Sequence, residues 1–445
     1  MDVDTGISNE KSLPTDQYDV ILDPELPVVR KKAVLDVSME DTLDLITYPE
    51  PGDLQKLAPT TFVINSKPGY VVDLSSLEID LKLQIYNARN LVDSRADFVG
   101  YLCNNLSNSI FKSIKVSLND VIIESNYHGS QLSRLNHLLT TCDEVSRSVG
   151  KPFGVFQIKH DLSTLIVTDD KIKEAKRSER LDLFKQDTIH VRGPLNLGIL
   201  ALEKYIPDGV KVSVVVEFQN PEFIINSKVA TNAEDKIYKY RIQQIKLRST
   251  LYKPADYINL SIQKELTNSY FEYLMPKKLV STHIVSGGVN EVGINRPYQQ
   301  LVPNYIYCWF TDLQADNGAY DLDPFFWDDL GLDSYTVMLD GREIFSEIVN
   351  GNYVDSYLAC SRAHAGGDQM IPYAKFSKGC FLLIFDMSKS TGSHNTIKVE
   401  RSGNLRFHFK FKNNLLRPAR IYLVGDTDVT FQIDSDRNVT TNFIR

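Results

Sequence analysis

The chain is 445 residues long, and 42% of its residues are hydrophobic, 24% are charged and 10% are aromatic. This length exceeds what one hydrophobic core usually supports and predicts two domains of ~200 residues each. The formal net charge is −8 and no block of like charges is longer than three residues, which argues against a protein that mainly binds phosphate backbones. We therefore expect no direct sequence-specific nucleic acid binding.

The N-terminal part of the chain resembles neither a signal peptide nor a membrane anchor. The stretch MDVDTGISNEKSLPTDQYD has no apolar core, and no apolar run in the chain reaches the ~18 residues that a transmembrane helix needs. Polar residues followed by frequent prolines predict an extended N-terminal arm at residues 1–35. We expect a protein without a transmembrane segment that stays soluble inside a cell.

Alternation of apolar and polar residues is the dominant pattern after residue 60, and it predicts half-buried β-strands. In LRFHFKFK, residues 405–412, every second residue is apolar. The chain is therefore predicted to be mainly β. The strand candidates are 61–64, 77–86, 188–191, 211–218, 240–247, 305–310, 380–385, 405–412, 420–425 and 429–434.

Helical spacing of apolar residues occurs in two places. Residues 130–145 place their leucines on one face, with Ser130 positioned to cap the first turn. Residues 255–271 have Pro254 at their start and Pro276 beyond their end, and they lie between two β-rich halves. The second helix is predicted to link the halves.

One hairpin pattern occurs twice. The stretch IKVSLNDVIIES reads as two strands around the turn Asn119-Asp120, and YTVMLDGREIFS repeats the pattern 221 positions later around Asp340-Gly341. Strands joined by hairpins, without regular βαβ alternation, indicate β-sandwiches rather than a parallel sheet. A repeated hairpin favours two related sandwiches, although such hairpins are common in any all-β protein.

The sequence therefore predicts an all-β fold of two tandem eight-stranded jelly-roll β-sandwiches joined by a linker helix. The predicted divisions are an extended N-terminal arm at 1–35, an N-terminal jelly roll at 36–253, a linker helix at 254–276, a C-terminal jelly roll at 277–440 and a C-terminal tail at 441–445.

Residue types that carry catalysis or bind metals are present without the spacing that those functions need. The eight histidines include no H-x-H pair, and the five cysteines include no C-x-x-C. HAGGD at 364–368 has no nucleophile nearby, and the basic stretch 171–180 is interrupted by acids. The acids of 321–335 lack calcium-loop spacing, so we expect an exposed acidic loop anchored by aromatic residues. No catalytic residue, cofactor site or metal site is predicted, and hence no enzyme.

The order of motifs along the chain resembles that of double jelly-roll major capsid proteins. In the second half these motifs are VSGGVNEVGINRPYQQLVPNYIYCWF (285–310), YTVMLDGREIFSE (335–347), GCFLLIFDMS (379–388) and GNLRFHFKF (403–411). In the first half, NNLSNSIFKSIKVSLNDVIIES (104–125) and the stretch 238–274 are similar to the N-terminal roll and the linker helix. With YDLDPFFW (320–327) and IDSDRNV (433–439), the order is most similar to the hexon-like capsid proteins of Polinton/Maverick elements and adintoviruses, over about residues 60–440.

This resemblance implies a structural major capsid protein. Three chains would form a homotrimer with six rolls and a pseudo-hexagonal outline, and such capsomers would tile an icosahedral capsid. The implied partners are neighbouring capsomers and penton or minor capsid proteins. The implied location is the virion capsid, after synthesis in the host cytoplasm and with assembly in the nucleus as one option.

Two other readings of the sequence stay open. One is a minor or penton-like capsid protein, although a single five-fold roll would need neither this length nor a repeated hairpin. The other is a two-domain lectin-like or glycan-processing β-sandwich protein. A glycan-processing enzyme would need a cleft with two carboxylates about 5–9.5 Å apart.

Overall fold

The computed structural model of the chain describes residues 39–50, 52, 57–86, 100–140, 152, 154–155, 184–185, 188–202, 204–227, 238–363, 371, 373–388 and 401–441. The described residues belong to one compact unit, Met39–Arg445. The predicted arm at 1–35, the basic stretch 171–180, the HAGGD stretch 364–368 and residues 442–445 of the predicted tail lie outside the described residues.

Strands dominate both halves of the described chain. The first half contains β1 (Met39–Thr47), β2 (Thr60–Asn65), β3 (Val71–Tyr86), β4 (Gly100–Leu102), β5 (Phe111–Leu118), β6 (Val121–Asn126), β7 (Phe184–Lys185), β8 (Thr188–Pro194), β9 (Lys211–Phe218), β10 (Ile225–Ser227) and β11 (Lys239–Pro254). The second half contains β12 (Phe271–Val285), β13 (Glu291–Asn295), β14 (Leu301–Val302), β15 (Tyr305–Asp312), β16 (Trp327–Asp328), β17 (Leu332–Leu339), β18 (Arg342–Ile348), β19 (Lys378–Gly379), β20 (Leu383–Asp386), β21 (Arg401–Ser402), β22 (Leu405–Phe411), β23 (Ala419–Ile433) and β24 (Val439–Thr441).

Helices occupy connections between strands. They are α1 (Leu106–Ser109), α2 (Gly129–Thr140), α3 (Pro221–Ile224), α4 (Asp256–Asn268), α5 (Leu313–Asn317), α6 (Val354–Ala363) and α7 (Tyr373–Phe376), with a 3₁₀ helix at Gly198–Ala201.

The two halves share one strand order. In the first half the sheets have the orders β1-β11-β3-β8-β7 and β2-β9-β5-β6. In the second half the corresponding orders are β12-β23-β15-β20, with β24 beside β23, and β13-β22-β17-β18. The pairings in these sheets are antiparallel. Because the chain alternates between two sheets in this order, each half forms a jelly roll. We call them the first roll (β1–β11) and the second roll (β12–β24).

The strand candidates occur where alternation places them, with two differences. The candidates 420–425 and 429–434 form one continuous strand, β23. The polar residues between the two candidates stay in the ladder because β12 pairs with β23 along its whole length. The candidate 380–385 becomes strand only from Leu383 onward, in β20.

The hydrophobic residues form two clusters, and each roll contributes to the cluster of the other. Tyr273 of β12 and Phe431 of β23 stack with ring centroids 4.8 Å apart inside the first roll's cluster. Conversely, Leu132 and Leu135 of α2 belong to the second roll's cluster. Burying a side chain of this size contributes ~1.5–3 kcal/mol. The two rolls are therefore interlocked.

The expected cap of α2 is wrong. This helix begins at Gly129, so Ser130 lies inside it. The Ser130 hydroxyl instead lies 2.8 and 2.9 Å from the backbone carbonyl oxygens of Ser109, the last residue of α1, and Phe111, the first residue of β5. This hydroxyl therefore joins two segments rather than capping one.

The helix between the rolls is shorter than its sequence pattern suggests. It ends at Asn268, and Pro276 lies in β12 opposite Asp428 rather than closing the helix. A proline is tolerated there because β12 is an edge strand. Only Leu266 of the predicted apolar spacing is fully buried, whereas Ile258 and Ile262 remain partly exposed.

Candidate assembly surfaces and the seam between the rolls

The histidine and acidic side chains of the described residues were candidates for metal binding, and His408 is the histidine whose orientation the sequence predicts. Among these residues, no group of three or more His, Cys, Asp or Glu side chains could hold a metal ion. His408 points outward from β22, as alternation predicts, and its Nε2 lies 2.6 Å from a carboxylate oxygen of Glu291.

The acidic stretch 321–335 is more buried than expected. Trp327 is completely buried and stacks on Trp309 with ring centroids 4.5 Å apart, so aromatic residues do anchor the stretch. Asp323, however, is only 5% exposed, and its Oδ1 accepts a hydrogen bond from the Phe325 backbone N–H at 2.9 Å. At this residue the stretch is a buried turn and not an exposed acidic loop.

The contact between the first roll and the second roll, which we call the seam, contains a buried carboxylate. Glu124 of β6 is 8% exposed, and its two carboxylate oxygens accept hydrogen bonds from the backbone N–H groups of Gly198 at 3.0 Å and Ile199 at 2.9 Å. Burial raises the pKa of the Glu124 carboxyl, although these N–H groups and the charges of Lys277 and Lys278 oppose the rise. Glu124 thus holds the 3₁₀ helix beside β12, next to a cavity of about 540 Å³ that both rolls line.

The backbones of the two rolls approach each other closely at Gly198. A Cβ atom on this residue would lie 1.9 Å from the Pro276 carbonyl oxygen of β12. Because this distance is far below van der Waals contact, the position requires glycine. Nearby, Nζ of Lys204 donates to the carbonyl oxygen of Glu272 at 2.8 Å. The beginning of β12 is therefore fitted against the first roll by both backbone and side-chain contacts.

A second buried polar cluster joins α2 to the second roll. Oδ1 of Asp316 accepts from Nε2 of Gln131 at 2.7 Å, and Oδ2 accepts from the Tyr422 hydroxyl at 2.9 Å. Arg420 forms an ion pair with the same carboxylate. Oε1 of Gln131 in turn accepts from Nε1 of Trp327 at 3.1 Å. Each buried polar group of the cluster therefore has a hydrogen-bond partner, and the partners come from segments that are distant in the sequence.

The repeated hairpin has one geometry in both rolls. The central residues of the turns have φ values of 45° and 66° at 119–120 and of 52° and 80° at 340–341. Positive φ at both positions is typical of a type I′ turn. Each hairpin also shifts register at the same place, after Val116 in the first roll and after Val337 in the second. Positions 221 apart are thus structurally equivalent across the whole hairpin.

The equivalence extends to the side chain that begins each turn, with one difference. Oδ1 of Asn119 accepts from the Lys211 backbone N–H at 2.8 Å, and Oδ1 of Asp340 accepts from the Asn404 backbone N–H at 2.8 Å. Asn119 makes a further contact, because its Nδ2 donates to the Arg437 carbonyl oxygen at 2.7 Å. The segment after β23 therefore holds the first turn in a way that Asp340, which lacks an amide, cannot copy.

Several large hydrophobic side chains remain exposed on sheet edges and on α4. Exposed apolar residues that cluster on one element often mark a surface for association. They lie on β18, on α4 and at the end of β1, and they include Ile344, Ile348, Tyr257, Leu260, Ile46 and Tyr48.

Sequence reasoning found the hairpins and missed the seam. One signal was available for Glu124, since it occupies the position that Phe345 occupies in the second hairpin. A charged residue in place of an aromatic one suggests a different environment. Gln131 and Asp316 carry no such signal, because they lie 185 positions apart and meet only in the folded chain.

Sequence comparison gives one distant relative. No protein-family model matches the chain. A Caenorhabditis elegans protein described as uncharacterized is 21% identical over 353 residues, which cover 75% of this chain and 80% of that protein. Within the described residues, we find no helix with the length and apolar character that spanning a membrane requires.

Solved structures share the architecture of both rolls. A cryo-EM structure of the Sputnik virophage matches with a TM-score of 0.60 at 12% identity, covering 95% of this chain and 92% of that chain. The Faustovirus major capsid protein matches with a TM-score of 0.58 at 9% identity, covering 92% of each chain. The mavirus major capsid protein matches with a TM-score of 0.55 at 11% identity, covering 100% of this chain and 96% of that chain. The predicted fold class is confirmed: the chain is a double jelly roll.

Proposed function

We propose that the chain is a structural major capsid protein whose copies form homotrimeric capsomers of an icosahedral viral or virus-like capsid. The observation that carries the proposal is one chain with two jelly rolls of the same strand order and the same hairpin register. Major capsid proteins of mavirus and Faustovirus have this fold. Three such chains supply six similar rolls, which suits near-hexagonal packing with neighbours.

The proposal includes an organisation and a set of partners. We assign an arm to 1–35, a first roll from 36 to the end of β11 at Pro254, a linker that contains α4, a second roll from the start of β12 at Phe271 to the end of β24 at Thr441, and a tail after it. The bounds 254–276 and 277–440 that the sequence predicts for the linker and the second roll would divide β12, which is one strand. Neighbouring capsomers and penton or minor capsid proteins are the proposed partners. The virion capsid is the proposed location, after synthesis in the host cytoplasm. Polinton/Maverick elements and adintoviruses are the proposed source of the most similar capsid proteins.

The other two readings have less support. A minor or penton-like protein with a single roll does not require the repeated strand order. A glycan-processing enzyme requires two available carboxylates in a cleft. The acids of the seam are engaged in structural bonds, Glu124 with two backbone N–H groups and Asp316 with Gln131, Arg420 and Tyr422.

Light scattering of the purified chain behind a sizing column tests the proposal. We expect a mass near three times 50.5 kDa that is unchanged on dilution. Electron microscopy of the same fraction should then show particles with hexagonal outlines. A monomer that persists at high protein concentration would contradict the homotrimeric capsomer.

A further inference from the structure

Strand β22 of the second roll carries a row of basic side chains on the face that points away from the core. Its leucine and phenylalanine side chains are buried, and the residues that alternate with them are Arg406, His408, Lys410 and, directly after the strand, Lys412. The arginine and both lysines are exposed. Because alternate residues of a strand lie ~6.6–6.8 Å apart, these four residues, which we call the basic strip, extend over ~20 Å in a line.

The residues opposite the basic strip in the two neighbouring strands are uncharged, with one exception. They are Met338, Thr336 and Ser334 on β17, and Asn295, Gly293 and Glu291 on β13. No atom lies within 4 Å of the position that a Cβ on Gly293 would take, so the sheet surface is open beside His408. The exception is Glu291, which lies opposite Lys410 in the ladder and whose carboxylate oxygen lies 2.6 Å from Nε2 of His408.

The arginine and lysines of the basic strip have no acidic partner. Within the part of the chain that the structure describes, no ion pair joins Arg406, Lys410 or Lys412 to a carboxylate. On the first roll, by contrast, arginines of β8 and β11 form ion pairs with acids of β3. Like charges in one row repel each other, and an anion bound along the row would relieve that repulsion.

The basic strip is not a requirement of the fold, because the equivalent strand of the first roll lacks it. By position in the sheets, β9 corresponds to β22. The residues of β9 that alternate with its core positions are Lys211, Ser213, Val215 and Glu217. They include one base and one acid, and the base forms an ion pair with Asp120. A jelly roll of this chain thus folds without a basic row at this place.

We propose that the basic strip binds a linear sulfated polysaccharide. Anionic groups that repeat along an extended chain match cations that lie in a line, and guanidinium and ammonium groups form strong charge-assisted hydrogen bonds with such anions. Thr336 and Ser334, opposite the strip on β17, offer hydroxyl groups for the sugar hydroxyls. This binding goes beyond the proposed structural role of the chain.

A sulfated polysaccharide fits the basic strip better than a nucleic acid does. Proteins that bind single-stranded nucleic acids combine cations with aromatic rings on which the bases stack. The aromatic rings of β22, which are Phe407, Phe409 and Phe411, are buried in the core. The strip therefore offers ionic contacts along a chain and no ring of its own for a base.

Titration of the full-length chain with heparin, a sulfated polysaccharide, tests the proposal. Lys410→Gln combined with Lys412→Gln removes two charges from the basic strip. Lys115→Gln combined with Lys211→Gln is the matched control, because it removes two charges from the equivalent sheet of the first roll. At about 0.1 M salt we expect the strip variant to bind heparin about tenfold or more weakly than the wild type, with a shallower dependence on salt, and the control to bind as the wild type does. Circular dichroism and light scattering should show the same fold and the same mass for all three chains.

A substitution with the opposite expected sign separates binding from structural damage. Glu291→Gln removes the carboxylate that lies opposite Lys410, so we expect heparin to bind this variant roughly two- to fivefold more tightly. Glu217→Gln, on the equivalent strand of the first roll, is its control and should leave the affinity unchanged. Weaker binding by Glu291→Gln would contradict the assigned site.

Three further outcomes would overturn the proposal. A wild-type chain that does not bind heparin at physiological salt has no such site. Equal losses in the strip variant and its matched control would mean that heparin responds to net charge alone. Single-stranded DNA that binds as tightly as heparin, or heparin that binds equally well after its sulfates are removed, would mean that the ligand is not a sulfated polysaccharide.

Discussion

Burying a charged residue at the seam costs free energy, and bonds from segments that pack against the residue offset that cost. A buried carboxylate without partners costs several kcal/mol, and Asp316 is 8% exposed. Its bonds to Gln131 and Tyr422 and its ion pair with Arg420 offset that cost. Tyr422 also stacks on Trp309 with ring centroids 4.9 Å apart. The bonds of Asp316 connect α2, which follows β6 of the first roll, with α5 and β23 of the second roll.

The close approach at Gly198 leads to a prediction about packing. A Cβ atom there would lie 1.9 Å from the Pro276 carbonyl oxygen, so Gly198→Ala must move backbone at the seam. We expect this substitution to lower the free energy of unfolding by about 1–3 kcal/mol or more, measured by urea denaturation. Gly293→Ala is the control, because no atom lies within 4 Å of the corresponding Cβ position. Equal stability of the two variants would show that the seam is loosely packed.

Asp328 leads to a prediction about pH. Burial, together with the charge of Asp329, raises the pKa of the Asp328 carboxyl to about 6 from an ordinary value of 3.8. Because the folded chain holds this proton more tightly than the unfolded chain does, stability falls as the pH rises from about 4 through about 6. Asp328→Asn keeps the oxygen that accepts from the Asp329 backbone N–H and removes the charge.

We expect Asp328→Asn to raise the free energy of unfolding by about 1–3 kcal/mol at pH 7.5 and to leave it unchanged near pH 4. Urea denaturation at both pH values measures the difference. A variant that is less stable than the wild type at pH 7.5 would show that the Asp328 charge is favourable in the folded chain.

At the scale of elements, side chains on the outer face of a sheet join strands that are distant in the sequence. Asp80 of β3 is 5% exposed and lies between β8 and β11. Its carboxylate oxygens lie 2.8 Å from Nε2 of His190 and 3.0 Å from Nη2 of Arg248. Burial alone would raise the pKa of the Asp80 carboxyl, but the bonds from His190 and Arg248 outweigh it and hold the pKa below 3.8.

The lowered pKa of Asp80 has the opposite pH dependence from that of Asp328. The ionised carboxylate stabilises the fold above its ordinary value of 3.8, and this stabilisation is lost as the pH falls through the lower pKa of the folded chain. We expect Asp80→Asn to lower the free energy of unfolding by about 1–2 kcal/mol at pH 7 and by progressively less below pH 4. Asp321→Asn, at an exposed loop residue, serves as the control. A constant difference from pH 7 to pH 3 would rule out the carboxylate as the source.

At the scale of the whole molecule, the rolls are interlocked because each one completes the hydrophobic cluster of the other. α2 follows β6 of the first roll in the sequence, yet Leu135 is fully buried in the second cluster. The start of β12 and the end of β23 pack into the first cluster through Tyr273 and Phe431. Neither roll therefore has a complete core without the other, and we expect them to unfold together.

Leu135→Ala tests this interlocking. Removing a buried leucine side chain costs about 2–5 kcal/mol, and the loss should appear in the cluster that the side chain fills. We expect hydrogen exchange measured by mass spectrometry to increase in β15 and β20 of the second roll, although residue 135 precedes them by more than a hundred positions. Val116→Ala, in the first cluster, should instead increase exchange in β9. Changes confined to the first roll in both variants would contradict the exchange of elements between the cores.

Local patterns in the sequence are sufficient to predict the strands and the hairpins, and the repeated hairpin favours a doubled architecture. Alternation sets which side of a strand faces the core, as in β22, where Leu405, Phe407, Phe409 and Phe411 are buried. A two-residue turn such as Asp340-Gly341 requires positive φ, which its residue types tolerate. These properties depend on residues within a few positions of each other, so they can be read without the folded chain.

The seam depends instead on segments that meet only in the folded chain, and so does the different burial of the two copies of the hairpin. Glu124 accepts hydrogen bonds from residues 74 and 75 positions away, and Gln131 bonds to Asp316 across 185 positions. In the two copies of one hairpin, Ile123 is covered and Ile344 is exposed, although both are isoleucine in the same register. Burial is a property of what packs against a residue, and no pattern in the strand itself specifies which distant segment that will be.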